Sequence, residues 1–129
     1  MTVSFGTLKA DTLTHSTAGS LATDYVVQGS AKAWVSLNGT GTVAIRDSFN
    51  TASITDVGTA TYSSTFSSAM SSASYSGGSH IVGLSNGDLI ATGEAAAPTT
   101  TTFHVGSRTT GNSQVDPEYA MTNIHGDLA

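Results

Sequence analysis

The stretch Ala31-Lys-Ala-Trp-Val-Ser-Leu-Asn-Gly-Thr-Gly-Thr-Val-Ala-Ile-Arg-Asp-Ser-Phe49 decides the fold class. Ala31, Ala33, Val35 and Leu37 alternate with Lys32, Trp34 and Ser36. Successive side chains on a strand point to opposite faces, so this is the period-2 pattern of a strand with one small apolar face. Asn38-Gly39 then marks a reversal, because both residues tolerate positive φ. The loop Asn38-Gly39-Thr40-Gly41 is longer than two residues and leaves the turn type open. Thr42–Phe49 returns with Val43, Ile45 and Asp47 at alternate positions. The reading is a hairpin, with Trp34 on the face opposite Ala33, Val35 and Leu37.

The same rhythm continues downstream. Asn50–Asp56 has Ile54 as its main apolar residue, and Asp56-Val57-Gly58 offers a turn. Thr59–Phe66 places Tyr62, Ser64 and Phe66 on one face and Thr61, Ser63 and Thr65 on the other. Ser67–Ser72 holds Ala and Met that suit a single helical turn, but its serines argue against a long helix. Tyr75, Ile81, Val82 and Leu84 suggest a strand pair about Ser76-Gly77-Gly78-Ser79. Asn86-Gly87-Asp88 is a further turn before Leu89–Thr92, and Gly93–Pro98 is loop-like. Thr99–Val105 reads as a strand with Phe103 and Val105 on one face, and Gly106–Asp116 as a loop. Tyr119–Leu128 alternates, with Tyr119, Met121, Asn123 and His125 opposite Ala120, Thr122 and Ile124.

Upstream, Thr2–Leu8 fits a short strand carrying Val3 and Phe5 on one face. Lys9–Ala22 lacks periodicity and reads as an extended arm, and Tyr25–Gln28 is a short apolar run. The expected organisation is therefore an N-terminal strand and extended attachment arm over residues 1–28, followed by a domain over 29–129. About eight short strands with closely spaced turns predict an all-β, compact antiparallel β-sandwich. Helix–strand alternation is absent, which excludes a parallel α/β fold.

Composition agrees. The chain has 129 residues, enough for one domain with a real core. Only 10% are charged, while Ser, Thr and Gly supply roughly two-fifths. Disorder normally comes with high charge or proline, and neither is present. Hydroxyl-rich, charge-poor alternation suits β-structure whose outer faces carry small hydroxyls. The net charge is −5, and the four basic residues Lys9, Lys32, Arg46 and Arg108 form no stripe, so a nucleic-acid partner is not expected. Apolar runs are too short for membrane insertion. Met1 is followed by Thr-Val-Ser-Phe5 without a basic or apolar leader, so synthesis without a signal peptide is expected. There is no cysteine and hence no disulfide.

Candidate chemistry is sparse. His15, His80, His104 and His125 share no metal-ligand spacing. A ring of one such histidine from each of three chains around an axis is the one metal arrangement left open. Asp47, Asp56, Asp88, Asp116, Glu118 and Asp127 lie in turns or at strand ends, where carboxylates bond backbone N–H groups. A glycosidase needs two carboxylates facing a sugar, and no motif points to such a pair. Gly-x-Ser-x-Gly is absent. Asn86-Gly87-Asp88 lacks the rest of a calcium loop, and Gly77-Gly78 lacks the lysine and helix of a phosphate loop. Asn38-Gly39-Thr40 is read as a turn rather than a glycosylation site. The expectation is a protein that is not an enzyme, with no catalytic residue and no cofactor. Trp34, Tyr62 and Tyr75 are the candidate subunit-interface or ligand contacts, since aromatic residues are enriched at interfaces. For Trp34, subunit packing is preferred over sugar stacking.

The segment Gly29-Ser-Ala-Lys-Ala-Trp-Val-Ser-Leu-Asn-Gly-Thr-Gly-Thr-Val-Ala-Ile-Arg-Asp-Ser-Phe-Asn50 resembles one in tail-fibre-like structural proteins of marine bacteriophages. The order Ala52–Gly58, Tyr62–Phe66, Ser68–Met70, Tyr75 follows it. Gly6–Leu13 and Ile124–Ala129 also resemble the starts and ends of such proteins. Ile54–Tyr75 is loosely similar to H-type lectin domains, trimeric β-sandwiches that bind sugars. No sugar-binding residue is carried across from them. The resemblance implies a virion protein made in the host cytoplasm and assembled as a homotrimer. Its implied partners are itself, other virion proteins, and a host-surface glycan or protein. A capsid decoration (cement) protein and, third, a polysaccharide depolymerase are the alternative readings.

Overall fold

A computed structural model of the chain describes residues 10–83, 89–92 and 96–129, and of residues 15, 89, 90 and 92 the backbone alone. The expected strand Thr2–Leu8 and the turn Asn86-Gly87-Asp88 lie outside the described residues. The chain divides into two units, Met1–Ser30 and Ala31–Ala129.

In the first unit, β1 (Thr12–His15) and β2 (Gly19–Ala22) form an antiparallel hairpin, with Leu13 opposite Leu21. Gly19 supplies the positive φ of 91° that the reversal needs. A seven-residue helix, α1 (Thr23–Gly29), follows. Its start is tied to the hairpin by Thr23, whose N–H donates to the Asp11 carbonyl (2.9 Å) and whose hydroxyl donates to the Ala10 carbonyl (2.6 Å). The extended arm expected over 9–22 is thus a hairpin, and the apolar run Tyr25–Gln28 is helical. Periodicity gave no warning, because neither element buries a face.

The second unit is a sandwich of two four-stranded antiparallel sheets, with β3 (Ala33–Asn38), β4 (Ala44–Phe49), β5 (Thr51–Gly58), β6 (Thr61–Phe66), β7 (Ser76–Val82), β8 (Leu89–Thr92), β9 (Thr102–Thr109) and β10 (Tyr119–His125). One sheet has the order β4-β3-β10-β7 and the other β5-β6-β9-β8. Hairpins make three of the six pairings. The central strands β10 and β9 make the others, inserting between partners distant in sequence. The core is the inward set of both sheets: Ala33, Val35, Leu37, Ile81, Ala120 and Ile124 from one, Tyr62, Phe66, Phe103 and Val105 from the other, with Met70 between. Phe66 packs edge-on to Tyr75 and tilted on Phe103, with ring centroids 5.6 and 5.0 Å away.

Several expectations are corrected in detail. Ser76-Gly77-Gly78-Ser79 is not a turn but the first half of β7, because β10 offers it a complete ladder. Strand β5 runs through Gly58, and the reversal falls on Thr59-Ala60, where Ala60 takes φ 59°. β9 continues to Thr109, paired with β8. Ser67–Ser72 forms no helix; Met70 instead bridges Leu128. Alternation alone would turn Asp47 inward with Ile45. A β-bulge opposite Ser36 and Leu37 places both Arg46 and Asp47 outside.

Two junctions close the sandwich. Asn50 alone connects β4 to β5 as the chain changes sheets, at φ 52°, a conformation Asn tolerates better than most residues. Its Nδ2 donates to the Lys32 and Ser68 carbonyls (3.0 Å each), and its Oδ1 accepts from Ser68 N–H (2.6 Å). At the other end, Tyr62 is 0% exposed. Its hydroxyl donates to Asp116 Oδ1 (3.0 Å) and lies 3.3 Å from the Gly39 carbonyl. Asp116 Oδ1 also accepts from Ala60 N–H (2.6 Å), and Gly39 N–H donates to the Pro117 carbonyl (2.9 Å).

Burial, Asp116 and the charge of Asp56 raise the Tyr62 pKa well above its ordinary 10.0. Because the folded pKa is the higher one, the Tyr62 contribution is complete below pH 10 and falls as pH rises toward the folded value. Tyr62→Phe should lower stability by about 1–3 kcal/mol at pH 7, by leaving Asp116 short of a donor. Above pH 10 the wild type should lose stability faster than Tyr62→Phe, by about 1.4 kcal/mol per pH unit, in urea unfolding monitored by far-UV circular dichroism.

Candidate functional site

The outer face of the β4-β3-β10-β7 sheet concentrates the side chains that could recognise a ligand. Register fixes their grid. One row across the sheet reads Phe49, Trp34, Asn123, Gly78; the next reads Asp47, Ser36, Met121, His80; a third pairs Tyr119 with Val82. Trp34 stands there because alternation commits Ala33, Val35 and Leu37 to the core. Its ring is half-buried, and the neighbouring Phe49 is 53% exposed.

An open groove of about 480 Å³ runs across this face, lined by Trp34, Ser36, Gly78, His80, Met121 and Asn123. Its shape follows from side-chain size. Trp34 and His80 rise on strands β3 and β7, while Ser36 and Gly78 leave hollows beside them. Strands lie ≈ 4.8 Å apart, so the Trp34 and His80 strands are separated by roughly 10 Å. Asn123 Nδ2 donates to His125 Nε2 (2.8 Å), which fixes the amide plane. Its Oδ1 then lies over Gly78, 3.3 Å from where a β-carbon would sit.

Arg46 anchors one border. Its guanidinium stacks on the Tyr119 ring, 4.2 Å from the centroid, and Nη2 donates to Asn38 Oδ1 (3.2 Å) and the Glu118 carbonyl (3.1 Å). The bulge brings Arg46 onto this face, and its charge is engaged within the sheet rather than offered to a ligand. Asp47 Oδ1 accepts from Ser48 N–H (2.8 Å).

Of the aromatic candidates, the structure brings Trp34 alone to this face. Tyr62 is corrected: it is fully buried in the core junction and has no surface for a second chain or a ligand. Alternation correctly grouped it with Phe66, and that grouping was the sign of an interior residue. Tyr75 lies at the sandwich edge, its hydroxyl donating to the Thr102 carbonyl (2.8 Å). It lines a separate cavity of about 340 Å³ with Gly77, Phe103, Thr122 and Ile124. The Ser79 and Thr122 hydroxyls in that wall bond each other at 2.8 Å. His104, on the other sheet, has a shielded Nδ1 without a partner among the described residues. No three His, Asp or Glu side chains converge as a metal site among the described residues. Asn123, His125 and His80 were missed as a group. Period-2 spacing puts Asn123 and His125 on one face but says nothing of His80, which the pairing of β10 with both β3 and β7 brings beside them.

Substitutions should separate the two faces of β3. Leu37→Ala, in the core, should destabilise by about 3 kcal/mol through cavity formation. Trp34→Ala, one face away, should cost about 1 kcal/mol despite the larger side chain, as read from urea midpoints. No family model, curated protein or solved structure matches the chain.

Proposed function

We infer that the chain is a virion structural protein of the bacteriophage tail-fibre-like type. In this reading it assembles as a homotrimer, attaches through residues 1–28 and presents the sandwich to the host surface. The observation that carries it is the apolar surface of the first unit. Leu13, Leu21, Tyr25, Val26 and Val27 are all exposed, Tyr25 at 68%, and α1 buries no residue. A short hairpin and helix with that surface is unstable in water alone and gains by packing against another chain. The sandwich core, in contrast, lies entirely within Ala31–Ala129. In this reading the first unit is the part that packs against a partner, and the sandwich carries its own core. Few charges and many outward Ser and Thr side chains suit a displayed module, and the resemblance of Gly29–Tyr75 to tail-fibre-like proteins supports a place on a phage particle.

The same surface also serves a capsid decoration protein, which differs in where on the particle it sits and in needing no adhesive face.

Light scattering of the full chain should give three copies of the 13.0 kDa chain. Deleting residues 1–28 should leave the far-UV spectrum of the sandwich intact and abolish incorporation into particles. A monomeric full chain, or a truncated chain that still incorporates, contradicts the reading. Immunogold labelling of tail rather than head distinguishes it from the decoration protein.

A further inference from the structure

We propose that the groove over Trp34, Asn123 and Gly78 binds a neutral hexopyranose, with one C–H face of the sugar stacked on the Trp34 indole. The site belongs to the adhesive role inferred above and gives it a ligand class and a location.

Three features point to a sugar. A pyranose has a face of C–H bonds and an edge of hydroxyls, so it needs an aromatic plane beside hydrogen-bonding groups. The groove has that pairing. Trp34 offers the plane, and the row across the sheet sets the Asn123 amide next to it. The amide is oriented by His125, and its Oδ1 faces the empty position above Gly78 without a protein partner among the described residues. An acceptor held in place before binding loses little freedom when a ligand hydroxyl donates to it. His80 adds a polar group on the opposite wall, and Ser36 adds one beside Trp34 on β3.

The second feature is room. Gly78 has an ordinary backbone conformation, so nothing in the local geometry demands glycine. The missing side chain instead opens the floor of the groove between Asn123 and β7. The groove volume lies in the range of small-molecule sites, about 300–1,000 Å³.

The third is charge. Among the described residues no Lys, Arg, Asp or Glu side chain lines the groove, and Arg46 stacks on Tyr119 outside it. An anionic sugar finds no counter-charge there, which favours a neutral ring. A second copy of the chain would be expected to meet a continuous apolar patch. Here Asn123, His80 and Ser36 interrupt it.

Trp34 is the only tryptophan in the chain, so its emission reports on this face alone. The full-length protein is titrated with methyl β-galactopyranoside, methyl β-glucopyranoside and methyl α-mannopyranoside. At least one should give a saturable blue shift as the ring covers the indole, with a Kd on the order of 1 mM for a single sugar residue. Asn123→Ala should weaken binding about ten-fold. Gly78→Val should abolish it by filling the floor, and both variants should keep the wild-type far-UV spectrum. If Gly78→Val fails to fold, the Asn123→Ala result decides. Absence of a saturable change with all three sugars overturns the proposal. So does a blue-shifted Trp34 emission that sugars leave unchanged and that moves red only when the oligomer is diluted to monomer, which would make the groove an interface between copies. Particle incorporation is a separate readout, so the sugar site and the virion role can fail independently.

Discussion

The sandwich depends on a single buried hydroxyl. Tyr62 sits on a central strand of one sheet, yet its hydroxyl reaches the Gly39 carbonyl in the turn of the other sheet and the carboxylate of Asp116 in the β9–β10 connection. Burying a phenol without a partner is expensive, so the three segments must converge if Tyr62 is to be inside. Gly39 is required at that point. A β-carbon there would strike the Tyr62 hydroxyl and lie 2.8 Å from Pro117 Cδ and the Pro117 carbonyl. The same Asp116 oxygen holds Ala60 in its left-handed conformation. One carboxylate thus sets the end of a hairpin, the depth of a tyrosine and the approach of the second sheet.

Asn50 does the corresponding work where the chain changes sheets. A one-residue link leaves no slack, so the side chain must replace the backbone bonds the corner breaks. It takes carbonyls from Lys32 and Ser68 and the Ser68 amide. With Asn50 and Tyr62 fixing the junctions, the outward face of β3 and β10 is carried on rigid strands rather than on loops. A binding groove built this way is ordered before its ligand arrives, which reduces the entropy lost on binding.

The division into two units gives this arrangement its logic. The sandwich holds its hydrophobic core wholly within Ala31–Ala129. The hairpin and helix of the first unit keep Leu13, Leu21, Tyr25, Val26 and Val27 exposed. Apolar surface that a chain does not cover itself is available for assembly. Under the proposed reading, attachment and recognition reside in separate parts of one short chain.

The strand faces were legible in the sequence wherever a strand buries one side. Ala33, Val35 and Leu37 against Trp34 and Ser36, Tyr62 and Phe66 against Ser63 and Thr65, and Ala120 and Ile124 against Met121 and Asn123 all follow from the two-residue repeat. That repeat also put Trp34 on the face opposite Ala33, Val35 and Leu37, and the structure shows that face to be the outer one. The hairpin and helix of residues 12–29 were illegible because they bury nothing and so leave no pattern. Ser76–Ser79, the first half of β7, reads as a turn in the sequence, since glycine records local freedom and not the ladder that β10 provides. Alternation alone would group Asp47 with Ile45, because a bulge is a property of two paired strands, which one strand's alternation cannot contain. By itself the sequence determined which side chains face inward, because alternation is local. Only the tertiary structure decided which outward side chains share a groove, because Trp34, Gly78 and Asn123 meet through pairings between segments some forty residues apart or more.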